Sequence, residues 1–362
     1  MLTAIGAIDL GRSHGYCQGC EQPQFPADRL LGIDGWLTCR ARSMADRAGI
    51  HDPFRQAEIL LRELAGWSID AETVRRYCHQ DAAKARKGRS ERQALPEQFR
   101  QAQGQERELH IDAGKVNTPS GWRDVKVAVF ACRQRGEPAT SGDYEQRDLP
   151  ELTARSVVAE VEEAQAFAKR CQDEAVRLGV GVLSAVEGAL VLVAGLSVLG
   201  DGAEWIWNLA GQVFAGAAEA LDVYHGCEQM AKAGRAALGE EGLKQWLDLA
   251  RVKLVGDGYA GVCEVIAGLT ADPETCQRIG TTAAEVLNYF CGHQHRLGYA
   301  ARLRRGQVIG SGLVEGTIKQ RVNLRMKRSG ARWLPGHAGP FVELMAMADG
   351  PEWSEFWMAI AA

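Results

Sequence analysis

The chain has no excess of positive charge. Its 362 residues carry 42 Lys and Arg against 46 Asp and Glu, a formal net charge of −4. Binding to nucleic acid therefore cannot be argued from overall charge and would have to come from local basic patches. Clustered cysteines are also missing: of ten, only Cys17 and Cys20 stand close together. With no signal peptide read at the start, the expectation is a reducing cytosol and not a disulfide framework. Uninterrupted apolar runs are scarce too. The longest, Val180 to Leu199, is broken by Glu187 and by glycines, and Asp201 and Glu204 follow at once. It reads as a short buried helix followed by a buried strand, not as a membrane span.

What the chain does have is 46% hydrophobic residues, enough for a sizeable core in two domains or in one domain with an insertion. Residues 1–35 hold the CQGC pair, half of a zinc ribbon. Cys17 and Cys20 are candidate zinc ligands, with His14 and Cys39 as unsupported extra ones, since structural zinc wants four. Residues 36–104 read as helical and end in a charged linker. Two short helices about Gly66, the second carrying Arg75 and Arg76, resemble a helix-turn-helix. At Glu108 the pattern changes to strands. ELHIDAG, turn residues NTPSG and WRDVKVAVFACR predict a hairpin, with a third strand near Tyr144. Leu152 to Leu178 reads as one long helix on the spacing of Val157, Val161, Ala164 and Phe167. Then come a strand ending at Asp201, a helix over Ala203–Phe214, and a short strand ALDVYHG ending at Asp222 and His225. Residues 227–305 are helical, and 306–362 contain a further helix and an aromatic tail. The predicted class is α/β, a mixed sheet flanked by helices, with a helical insertion and a small helical region ahead of it.

Three acids stand out by position. Asp112 and Asp201 end strands, where sites of open α/β sheets gather. Glu315 follows a Gly-Ser-Gly turn, early in a helix that Ser311 can cap. Taken singly, each acid is as readily a strand terminator, a turn or a first-turn acid. Taken together, three hard-oxygen donors suit two Mg²⁺ (or Mn²⁺) ions of the kind that stabilise in-line phosphoryl displacement. The stretch after Glu315 carries Lys319, Arg321, Arg325, Lys327, Arg328 and Arg332, bases that suit a polyanion, with Trp333 or Trp205 available to stack on a base.

The phrases HIDAGKVNTPSGWRDVKVAVF, GDGAEWIWNLAGQVF, ALDVYHGCEQM, IGSGLVEGTIKQRVNLRMKRSGARW and EWSEFW, in this order, resemble the ISKra-type bacterial insertion-sequence transposases of the Mutator-like group of DDE transposases. The resemblance spans nearly the whole chain. It implies an RNase H-like core (residues 105–226 and 306–362) interrupted by a helical insertion over 227–305, with Asp112, Asp201 and Glu315 as the metal-holding catalytic acids. Asp222-Val-Tyr-His225 matches an auxiliary Asp-x-x-His element. It further implies double-stranded DNA partners (terminal inverted repeats and target), a homodimer on DNA, and a place in the bacterial cytoplasm. The alternative is a decayed or domesticated copy that binds DNA without cutting it.

Overall fold

The computed structural model describes residues 1–30, 32–91, 95–180, 184–186, 189–191 and 195–361. At its centre lies a five-stranded mixed sheet of β1 (Glu106–Thr118), β2 (Gly121–Arg133), β3 (Leu152–Glu160), β4 (Leu196–Gly200) and β5 (Ala218–Leu221). Their order across the sheet is β5-β4-β1-β2-β3. β1, β2 and β3 pair antiparallel, whereas β4 lies parallel to both β1 and β5. All five residues of β4 are buried, as expected of a central parallel strand covered on both faces.

Helices cover both faces. N-terminal to the sheet are α1 (Cys39–His51), α2 (Phe54–Ala65) and α3 (Ala71–Glu91). Thr38 caps α1 by accepting from Ala41 N–H, and α2 ends at Gly66, whose φ of 66° favours glycine. α4 (Ala164–Arg177) and α5 (Glu204–Val213) cover one sheet face. The insertion is α6 (Val223–Asp257, kinked at Gly239), α7 (Tyr259–Leu269) and α8 (Pro273–Gly292). After it come α9 (Gly312–Thr317), which runs on into a π-helical segment over Ile318–Met326, then α10 (Pro335–Met347) and α11 (Glu352–Ala361). Leu109, Ile111, Ala128 and Phe130 pack with α4, α5 and the insertion. Val116, Val125, Val127 and Val129 point the other way, into a core shared with α1–α3, the π-helical segment and α10.

β3 is one edge of the sheet, and side chains close it. Arg89 donates to Val157 O and Arg86 to Ala159 O, each at 2.8 Å, while Ala159 N–H donates to Glu343 of α10 at 3.0 Å. An edge strand whose backbone groups are occupied in this way offers no template for another strand. The same contacts fasten α3 to the core, so the N-terminal helices are not a loosely tethered unit.

Four expectations are corrected. Asp112 does not end a strand: β1 runs on past it to Thr118, because β2 supplies a partner for every residue up to the turn at Pro119-Ser120. Residues 152–160 form a strand, and the helix begins only at Ala164. The spacing of Val157, Val161, Ala164 and Phe167 imitates a helical face, but the β-branched Val157-Val158 and an open partner in β2 decide for a strand. The third strand is thus β3. Near Tyr144 the chain makes a 3₁₀ turn held by Thr140 N–H donating to Asp143 at 2.6 Å. In the apolar run, Ser184–Val186 pairs antiparallel with Ala189–Val191, so these residues ahead of β4 are strand and not helix. No helix among the described residues is long and apolar enough to cross a membrane.

Candidate active site

Asp112 and Asp201 stand side by side because β1 and β4 are neighbours in parallel register, Gly200 opposite Ile111. Asp112 is the next residue on β1 and Asp201 the first beyond β4. Asp112 lies opposite Val127, hence on the sheet face that α9 covers. Gly114, two positions on, lets that helix come close: a Cβ there would stand 3.0 Å from both Ile318 and Val322. This approach brings Glu315 of α9 over the same edge.

The electrostatics show that these acids share one field. The Asp112 carboxyl is pushed up to about 7, first by desolvation and then by the charges of Asp201, Glu315 and Asp222. Glu315 is also raised, by desolvation first and then by Asp222. Each Asp is oriented by its own backbone: Ala113 N–H donates to Asp112 at 2.6 Å and Ala203 N–H to Asp201 at 2.8 Å. Among the described residues, no three His, Cys, Asp or Glu side chains converge tightly enough as they stand to ligate a single ion. The acids are gathered at one edge as an open cluster.

Asp222 is the buried organiser beneath them, 1% exposed. β5 ends at Leu221, so of ALDVYHG only Ala220 and Leu221 are strand, and from Val223 the segment is helix. Asp222 caps α6 by accepting from His225 N–H at 2.6 Å, and its own N–H donates to Gly200 O at 2.8 Å. Its other oxygen accepts from Ser311 N–H and, at 3.0 Å, from the Ser311 hydroxyl. Ser311 therefore does not cap α9 with its side chain, as its sequence position suggested. Its hydroxyl lies between Asp222 and Glu315, 2.9 Å from the latter. That hydroxyl has a single proton and so donates to only one of the two carboxylates at a time. His225 lies in the first turn of α6, within 3.1 Å of Gln229 and beside Tyr289, at 6.3 Å between ring centroids.

Tyr289, on α8 of the insertion, reaches the site without any signal in its local sequence. A Cβ on Gly202 would come within 2.3 Å of the Tyr289 hydroxyl, so the glycine after Asp201 is what admits the ring. That hydroxyl is buried with no hydrogen-bond partner among the described residues, and Asp201 and Asp222 help desolvation raise its pKa. A buried phenol left unpaired beside acids is a donor waiting for an acceptor. His293 lies one turn further on, 4.9 Å from the Tyr289 ring.

The basic stretch divides. Lys319, Lys327, Arg328 and Arg332 are exposed. Arg321 is paired with Asp349 of the segment between α10 and α11. Arg325 is 5% exposed and donates to Gly49 O at 2.6 Å. Its guanidinium lies against Phe54 and Phe341 at 4.8 and 5.1 Å, and burial lowers its pKa to about 10. Trp333 is also 5% exposed and donates to Met326 O. Arg325 and Trp333 are core residues, then, and not contacts for phosphate or base. The reason is the π-helical register, which turns Arg325 inward among aromatics of α2 and α10.

At the N-terminus, Gly15–Cys17 pairs with Gln22–Gln24 and the turn between them presents Cys17 and Cys20 together. Hydrogen bonds from Cys20 lower the pKa of the Cys17 thiol. No third ligand joins them among the described residues, so a zinc role for this pair has two ligands where four are usual.

No family model matches the chain, and no curated protein does.

Proposed function

We propose that the chain is a DDE-type transposase, cutting DNA at the ends of its own element and joining the freed 3′ ends to a target. The observation that carries this reading is that Asp112 stands beside Asp201 across β1 and β4, with the charges of Asp201, Glu315 and Asp222 all raising its pKa. The strand order supports an RNase H-like core: three antiparallel strands, then two parallel ones on the far side of β1, with the helical insertion after β5.

An all-oxygen donor set whose members repel one another fits hard dications. Asp112, Asp201 and Glu315 are the residues that would hold Mg²⁺ or Mn²⁺. Bound there, such ions supply charge neutralisation for an attacking and a leaving oxygen on phosphorus. The chain's own groups do the rest. Ser311 and Asp222 orient Glu315. The Tyr289 hydroxyl donates to a phosphate oxygen beside Asp201, and His225 holds the ring of Tyr289 in place. Lys319, Lys327, Arg328 and Arg332 take the flanking phosphates.

The direct test incubates full-length protein and Mg²⁺ with labelled DNA spanning the borders of its own coding region. Specific strand cleavage is expected; specific binding without cleavage would instead identify a DNA-binding derivative of such an enzyme. The basic stretch allows a separate check. Changing Lys327, Arg328 or Arg332 to Ala should reduce the salt slope of DNA binding by about one each. Arg325→Ala should leave the slope unchanged and lower the melting temperature, because that side chain is buried. A slope that falls with Arg325 and not with the other three would contradict the assignment.

A further inference from the structure

The β1–β2 ribbon runs on past the rest of the sheet. β4 pairs with β1 only as far as Ile111, and β3 pairs with β2 only from Lys126 onward, yet β1 and β2 stay paired to Thr118 and Gly121. From Asp112 to Thr118 the ribbon extends about 20 Å at roughly 3.3 Å per residue. At its tip Trp122 is 59% exposed, in register with Asn117. The basic stretch reaches the same tip, since Trp333 N–H donates to Asn117 O at 2.8 Å. Between Lys319 and Arg332 there are six bases and no acid. Of these, Lys327, Arg328 and Arg332 are exposed and form no ion pair among the described residues.

A large aromatic ring left in solvent at the end of a projecting ribbon does nothing for the core. Set beside unpaired cations, it matches the two halves of a nucleotide, a π-face and a phosphate. We infer that Trp122 stacks on an unpaired base of the bound DNA, held there by phosphate contacts to Lys327, Arg328 and Arg332. The reach of the ribbon places that base about six nucleotides from the phosphate at Asp112, at about 3.4 Å per step. This rests on the DNA-processing reading of the acid site. It adds a contact that the acids do not require, one that recognises opened and not fully paired DNA.

The test uses full-length protein in EDTA, so that cutting plays no part. The probes are a short duplex and the same duplex with a single-stranded tail of about eight nucleotides, matched to the length of one such binding groove. Trp122→Ala is expected to weaken binding to the tailed DNA by about tenfold, the effect of losing one stacked base, and to change duplex binding by less than about threefold. Trp122→Phe keeps a π-face and should retain most of the tail preference, which also guards against a folding defect. A base analogue whose fluorescence is quenched by stacking should report the contact in wild type and not in Trp122→Ala. Unchanged binding of tailed DNA by Trp122→Ala would overturn the inference, as would an equal loss on both probes. Loss of self-association alone would overturn it too, and would assign the tip to a second copy of the chain. Absence of cleavage by wild-type protein with Mg²⁺ would remove the catalytic reading while leaving this binding result standing.

Discussion

Replacing Asp112 by Asn should abolish Mg²⁺-dependent strand cleavage, by on the order of a thousandfold or more, and at the same time make the metal-free protein more stable at pH 8. The first effect follows from its place among the three acids. The second follows from the sign of its pKa shift. The folded-state carboxyl titrates at about 7, against about 3.9 when unfolded. The folded state therefore holds this proton more tightly. Its contribution favours folding at low pH and is lost as pH rises from about 4 through about 7. Asn has no charge to desolvate or to repel Asp201, Glu315 and Asp222, so the substitution should add on the order of 1–3 kcal/mol at pH 8 in EDTA. The advantage should shrink toward zero near pH 4. Thermal melts of both proteins across this range are the check. A residue that merely ended a strand would give the opposite sign, with Asp112→Asn neutral or destabilising at every pH.

The second large effect concerns the support behind the site. Gly339, early in α10, lies flat against the edge strand: a Cβ there would stand 2.2 Å from Ala159 O and 2.8 Å from the Glu160 Cα. Both are backbone atoms, which cannot swing aside. Gly339→Ala should therefore force α10 off β3, lengthening the Ala159–Glu343 hydrogen bond and loosening Arg86 and Arg89. Overpacking of this kind costs about 3 kcal/mol. Gly336, three residues earlier on the same helix, has open space around it. Gly336→Ala should leave the melting temperature unchanged or raise it slightly, because Ala is the better helix former. Equal tolerance at the two positions would mean that α10 does not pack as described.

Part of the site was legible in the sequence because two of its acids belong to recognisable strand segments. Asp201 does close a short apolar strand, but Asp112 lies in the middle of β1, and it is the parallel register of β1 with β4 that sets the two acids side by side. Asp222-Val-Tyr-His225 was legible as an element, although its Asp turns out to cap a helix and not to end a strand. Leu152–Glu160 was misread because two periodicities coexist there, and only the partner strand decides between them. Arg325 and Trp333 looked like ligand contacts because charge and aromaticity carry no sign of burial; the π-helical turn that buries them leaves no pattern in composition. Tyr289 was missed for a different reason. It lies far along the chain on the insertion, and only the folding back of α8 over Gly202 brings it to Asp201. Gly202 itself was the available clue, a glycine immediately after an acid, which reads equally well as an ordinary turn.

The account turns on whether the three acids act as one site, and metal binding reads this without knowledge of any DNA sequence. Titration of full-length protein with Mn²⁺, followed by the paramagnetic signal of the free ion, compares wild type with Asp112→Asn, Asp201→Asn and Glu315→Gln. The expected result is a shared site that each substitution weakens by about tenfold or more, in line with the loss of a direct ligand, while Asp124→Asn on the ribbon leaves it intact. Wild-type affinity in all three variants would contradict it, and the acids would then be three independent residues on three separate elements.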